Sequence, residues 1–278
     1  MDVKQRVLGW VADLPDFRDK LFQDLMREVG QIRFPVRGWL WWKHTVYPEI
    51  VDLRSQPIAL GVVPPVYDQG SVGSCVANAT CALLAYVESR EKLNETAPSL
   101  SRLFAYANAR SNVAVDHGST FRNTFKGITK FGICTENEWP YDVAEALVKP
   151  SAAAYQAAQV RKKISYSTLI TLDDMLACIA SGYPFVYGMS IYDSFENWSA
   201  DTSYKGTPVI PMPKKTDAYV GGHGLCIVGY DLGAKLFLVR NSWGTGWANQ
   251  GYAWIPFDYL TNPFLADSFW TCRYIADP

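Results

Sequence analysis

Apolar residues recur along this chain in two rhythms, a helical one through its first half and a strand-like one through much of its second. Leu14, Phe17, Leu21, Leu25 and Val29 fall at steps of three and four, with Phe22 and Met26 widening the stripe. That spacing predicts one amphipathic helix over about 15–29, opened by Asp13 and Pro15 and stopped at Gly30. Gln31 to Arg37 then reads as an extended, proline-containing peptide. Helical spacing returns over 76–92, 99–111 and 120–131, with Leu100, Leu103, Phe104 and Ala107 on one side of the second. An alanine-rich and then basic stretch, 149–165, is expected to cross between two halves of the molecule. A short helix is predicted over 172–181, where Asp173 and Asp174 suit the positive end of the helix dipole. After it come short apolar runs at 185–192, 225–230, 235–241 and 252–257, which read as strands. The segment 194–220 is long enough to rim a cleft. The prediction is an α+β chain: an N-terminal extension over 1–45, a mainly helical part over 46–150 and a mainly β part over 151–278. A cleft between the last two is a natural place for a binding site.

Composition narrows the classes. A chain of 278 residues, 49% hydrophobic and 14% aromatic, can bury a large core. Its formal charge of −1 and lack of a basic block point away from nucleic acid and anionic membranes as partners. No apolar stretch approaches the roughly 20 residues of a membrane span. The start lacks the apolar region of a secretory signal, so a cytoplasmic location or signal-independent export is expected. The six cysteines show no Cys-x-x-Cys spacing, so neither a disulfide framework nor a zinc site is suggested, and no metal or other cofactor is expected. Cys81, Cys134, Cys178, Cys226 and Cys272 read as packed thiols, which fits a reducing compartment.

Cys75 is different. It lies where the loop Gln69-Gly-Ser-Val-Gly-Ser74 turns into an apolar helix, and free N–H groups at a helix start favour a thiolate. Gln69 offers a side-chain amide that can converge with the Cys75 N–H on one oxyanion. A cysteine alone reads as readily as a small buried hydrophobe. A working thiolate also needs a base and a group to orient it. Of three histidines, His44 sits in a tryptophan-rich patch and His117 in a polar turn. His223 follows Gly221-Gly222 and opens the apolar run from Leu225 to Tyr230, and Asn241 and Trp243 end the next strand, where they can orient and shield the imidazole.

These blocks resemble the papain-like cysteine peptidases. Gln69 to Cys75 is similar to that family's oxyanion and nucleophile loop, Gly222-His223-Gly224 with Ile227 to Tyr230 to its histidine strand, and Asn241 to Trp247 with Gly251-Tyr252 to its asparagine block. Val51 to Arg54, Val63 to Val66, Gly132-Ile133 and Trp139 to Tyr141 extend the likeness weakly, so it covers about residues 50–278 and suggests a short, signal-less, bacterial-type member. The resemblance implies a two-lobe fold, a helical lobe and a β-barrel-like lobe with the active site between them. It implies a peptidase in which Cys75 is the nucleophile, His223 the general acid/base, Asn241 the orienter and Gln69 an oxyanion donor. Gly73, Ser74, Gly118, Ser119, Gly222 and Trp243 fall on its substrate side, and Thr120, Phe121 and the neighbourhood of Leu225 on a side-chain subsite. The partner is then a peptide or protein, cut by a single-chain enzyme working as a monomer. Three positions depart from the family. Val72 stands where a cysteine commonly forms a disulfide, Val76 where an aromatic is usual, and Ser119 replaces one glycine of a pair.

The resemblance also implies that residues 1–45 are a prosegment, the helix docking on the enzyme and the extended Gln31–Arg37 lying along the cleft; an extension packed elsewhere is the alternative. Two other uses of the same side chains stay open: acyl transfer to an amine or deamidation through the same triad, and a non-catalytic binding module.

Overall fold

The computed structural model describes residues 7–28, 36–37, 44–55, 61–92, 96–196 and 203–275. Helix α1 spans Phe22–Glu28, α2 Cys75–Glu91, α3 Arg102–Ala109, α4 Phe121–Phe131, α5 Ala152–Ala158 and α6 Leu172–Ala180. The central helix is α2. Its residues from Cys75 to Ser89 are all buried, as expected of a helix that is apolar on every side. Alanines 77, 79, 82 and 85 keep its surface low, so that α3, α4 and the sheet all pack on it. Helices α3 and α4 start at Ser101 and Thr120, whose hydroxyls accept the N–H groups of Phe104 and Asn123.

The main sheet of the β part, among the described residues, is seven-stranded and antiparallel. Its strands are β1 Ile50–Asp52, β2 Ile164–Thr168, β3 Phe185–Tyr192, β4 Tyr219–Asp231, β5 Leu236–Arg240, β6 Tyr252–Pro256 and β7 Ala266–Tyr274. They lie in the order β6-β5-β4-β3-β7-β2, with β1 pairing the far end of β4. Met189 of β3 stands opposite His223 of β4, so the register places His223 on an interior strand that packs against α2. Helix α6 has a full capping box: the Thr171 hydroxyl accepts the Asp174 N–H at 3.1 Å and the Asp174 carboxylate accepts the Thr171 N–H at 3.0 Å. Thr171→Ala should therefore lower stability by about 1 kcal/mol, read as a shift in urea midpoint with an unchanged slope.

Two expectations need correction. The helix predicted over 15–29 begins only at Phe22, and its buried residues are Phe22 and Leu25, while Leu14 and Phe17 are exposed. Side-chain bonds explain this. Arg122 donates to the Leu14 carbonyl and to both Asp19 carboxylate oxygens, and Asp13 accepts from the Arg122 N–H and the Trp270 ring N–H. These anchors hold residues 13–20 open across α4 and β7, where a helix could not reach them. The strands β1, β2 and β7 were not anticipated. Strand β7 packs against both α2 and α6's neighbour β3 and carries a bulge between Asp267 and Trp270, so its apolar positions do not alternate. Within the predicted extended peptide, residues 31–35 lie outside the described residues, as do 39–43 of the tryptophan-rich patch; Val36–Arg37 pairs with His44–Thr45.

Among the described residues no helix is long and apolar enough to cross a membrane, and no group of three or more His, Cys, Asp or Glu could hold a metal ion.

Candidate active site

Cys75 is the first residue of α2 and fully buried. The N–H of Gly224, the second residue after the Gly222 carbonyl on β4, donates to its sulfur at 3.3 Å. A side chain at Gly224 would press on Val76, so the bare backbone there lets β4 seat against the helix start. His223 precedes this contact. Its Nε2 lies 2.8 Å from Asn241 Oδ1, which also accepts the Ser242 N–H at 2.7 Å. Both His223 and Asn241 are buried, and the Trp243 ring lies 4.8 Å from the imidazole and covers it. Phe195 and Trp247 pack edge-on against Trp243 from the other side.

Gln69 ties the nucleophile loop to the asparagine block. Its backbone N–H donates to the Ser242 carbonyl, and its Oε1 accepts the Ser242 hydroxyl at 2.7 Å. With Oε1 engaged, the amide is fixed with Nε2 on the cleft side, where it donates to Val72 O at 2.9 Å and Val7 O at 3.1 Å.

That second acceptor belongs to the N-terminal segment, and residues 7–11 occupy the cleft. The Trp10 N–H donates to the Gly222 carbonyl at 3.1 Å, the Val11 N–H to Ser119 O at 3.0 Å, and the Ser119 N–H to Gly9 O at 2.8 Å. Trp10 and Ser119 thus form a parallel bridge. The Trp10 ring rests on the backbone of Gly188 and Gly222, and Leu8 on Gly221. Gly9 is wedged between Gly73 and Gly118: a Cβ on Gly9 would fall 1.8 Å from Gly73 O, and one on Gly118 (φ +78°) 2.1 Å from Gly9 O. The described part of the extension in the cleft is upstream of α1; of the 31–37 peptide expected there from sequence, residues 31–35 lie outside the described residues. A short apolar pentapeptide with a central glycine offered no periodic signal.

Burial changes the state of the thiol. Position at a helix start suggested a lowered pKa; instead burial pushes the Cys75 thiol up to about 11, although N–H groups of Gly224, Gly9, Val76 and Cys75 itself pull the other way. The helix-start donors are present, but a covered sulfur has lost the water that would stabilise its charge.

The papain family cysteine protease model matches residues 47–260. The chain belongs to the papain family of cysteine proteases. It is 33% identical, over 98% of its length and 88% of the relative's, to an uncharacterised peptidase C1-like protein of Acanthamoeba polyphaga mimivirus. It is also similar to the crystal structure of xylellain, a cysteine protease from Xylella fastidiosa: 33% identity, a TM-score of 0.79, and 98% of this chain and 97% of that one covered. A digestive procathepsin L proteinase from Tenebrio molitor larval midgut shares the fold, with a TM-score of 0.67 at 19% identity over 98% of this chain and 79% of its own. This papain-family member is thus a cysteine-type peptidase with the α+β two-lobe architecture.

The remaining residues named from sequence take different places. Gly73, Gly118, Ser119 and Gly222 all border residues 9–11 of the segment. Ser74 is turned inward, its hydroxyl 2.5 Å from Tyr141 Oη and accepting from Asn78 Nδ2 at 3.0 Å, so its side chain braces α2 and does not face the cleft. Trp243 covers the imidazole. Residues the sequence did not single out support the site from behind: Ser242 fixes Gln69, and the Tyr141 hydroxyl donates to the Gln69 carbonyl at 2.9 Å. Ser242 stood beside a recognised asparagine, and Tyr141 in a Pro-Tyr pair, but nothing local showed which partner each would meet.

Proposed function

We propose that this peptidase cleaves within peptide chains by acyl transfer to Cys75 and is made as a zymogen, residues 1–45 closing the cleft and residues 46–278 forming the enzyme. His223, oriented by Asn241, takes the Cys75 proton on Nδ1, and the thiolate attacks the peptide carbonyl. Gln69 Nε2 and the Cys75 N–H hold the oxyanion. The imidazolium gives its proton to the leaving amine, then the imidazole activates water to hydrolyse the thioester. One observation carries the reading: the Gly224 N–H on Cys75 Sγ, next in sequence to a histidine bonded to Asn241, joins nucleophile and base across two lobes.

Endopeptidase action is supported by the chain already in the cleft. It passes Gln69 at Val7 and Ser119 at Val11, so backbone is accommodated on both sides of Cys75. Zymogen behaviour is supported by what that chain presents. It offers the sulfur an N–H, from Gly9, in place of an electrophilic carbon, and it fills the Gln69 donor with the Val7 carbonyl. Intact mass after an epoxysuccinyl thiol inactivator tests the nucleophile, on the full chain and on one lacking residues 1–45. A single adduct at Cys75, absent from His223→Ala at neutral pH, is expected. Labelling spread over several of the six cysteines, or none in either form, would refute the assignment.

A further inference from the structure

The two walls that grip Gly9 are held together by a polar strap. Val72 stands where the family commonly has a disulfide cysteine, so no disulfide forms from that position. In this chain the next residue, Gly73, donates its N–H to both carboxylate oxygens of Asp116 at 3.1 Å. The Tyr106 hydroxyl donates to Asp116 Oδ1, and the same hydroxyl accepts the Gly118 N–H at 3.1 Å. Gly73 belongs to the nucleophile loop, and Gly118 precedes the residue whose backbone brackets the chain in the cleft. Tyr106 is buried on α3 and cannot follow either loop if it moves. Arg110 secures the same turn: its guanidinium lies 3.8 Å over the Tyr106 ring and donates to the Val115 carbonyl at 2.8 Å.

We infer that Asp116, through Tyr106, is a positioning residue that sets the spacing between the nucleophile loop and the substrate wall by hydrogen bonds. The inference rests on the proposed role of Cys75 and its cleft. A carboxylate suits the task because one group accepts from two donors at once, and charge-assisted bonds are stronger than neutral ones. The strap holds no sulfur, so a reducing environment leaves it intact. Space at Gly73 is matched to it, since a Cβ there would fall 2.8 Å from Asp116 Oδ1.

Amide exchange on the full-length chain tests the strap without requiring turnover, so its failure is separable from failure of the catalytic assignment. In Asp116→Ala the Gly73, Gly118 and Ser119 amides should exchange about tenfold faster, with exchange in α2 and β4 unchanged. Asp116→Asn keeps Oδ1 as an acceptor and should restore most of the protection. In a chain opened by Gly9→Val, Asp116→Ala should raise KM for a peptide about tenfold while changing kcat little, with or without dithiothreitol. Wild-type exchange at Gly118 and Ser119 in Asp116→Ala would overturn the inference.

Discussion

A chain carrying Gly9→Val should take up an epoxysuccinyl label at Cys75 on the order of 100 times faster than the natural sequence. The side chain added at residue 9 has nowhere to go, because its first carbon alone would fall 1.8 Å from the Gly73 carbonyl oxygen and 2.4 Å from its carbon. Gly73 is itself held by Asp116, so the wall does not yield. Expelling residues 7–11 costs the bonds of Trp10 to Gly222, of Val11 and Gly9 with Ser119, and of Gln69 to Val7. At about 0.5–1.5 kcal/mol each, these supply a few kcal/mol of closure, enough for a hundredfold effect. The pH profile is a second signature. A thiol held up near 11 is protonated at neutral pH, so labelling of the natural chain, which needs the thiolate, should climb with pH through the alkaline range. Once water reaches the sulfur, the profile of Gly9→Val should flatten near neutrality. Equal rates in the two chains would mean that the segment does not bar the cleft.

The contrast between what the sequence displayed and what it hid follows from the range of the interactions. Gln69, Cys75, His223 and Asn241 were legible as candidates because each sits in a short run of glycines, serines and tryptophans that matches a family block. Four of the helices and four of the strands followed from apolar spacing. The stripe from Leu14 to Val29 misled for a physical reason. Leu14 and the neighbouring Asp13 are held by Arg122 and Trp270, more than 100 positions away, and no local pattern encodes such partners. The raised thiol has the same origin, since the burial that raises it is complete only after the whole chain has folded. Asp116 looked like one more polar turn residue for the same reason.

Gln69→Ala, made in the opened Gly9→Val chain, should lower kcat about 10²–10³-fold with little change in KM, whereas Cys75→Ala should leave no peptidase activity. As the proposed oxyanion donor, the amide would act on charge that develops only as the carbonyl becomes tetrahedral, so its loss should fall on the transition state and spare the bound substrate. Gln69 also makes structural bonds, and these need separating from that role. Its Oε1 receives the Ser242 hydroxyl, and its backbone meets the Ser242 carbonyl, bridging the nucleophile loop and the asparagine block. Ser242→Ala removes the first of these bonds while leaving Nε2 in place, so it should cost about tenfold or less. If Ser242→Ala and Gln69→Ala lowered kcat equally, Gln69 would be a strut between the lobes and not an oxyanion donor. A larger loss in Gln69→Ala locates the excess on Nε2, the group of that side chain that donates to the carbonyl oxygens of Val72 and Val7.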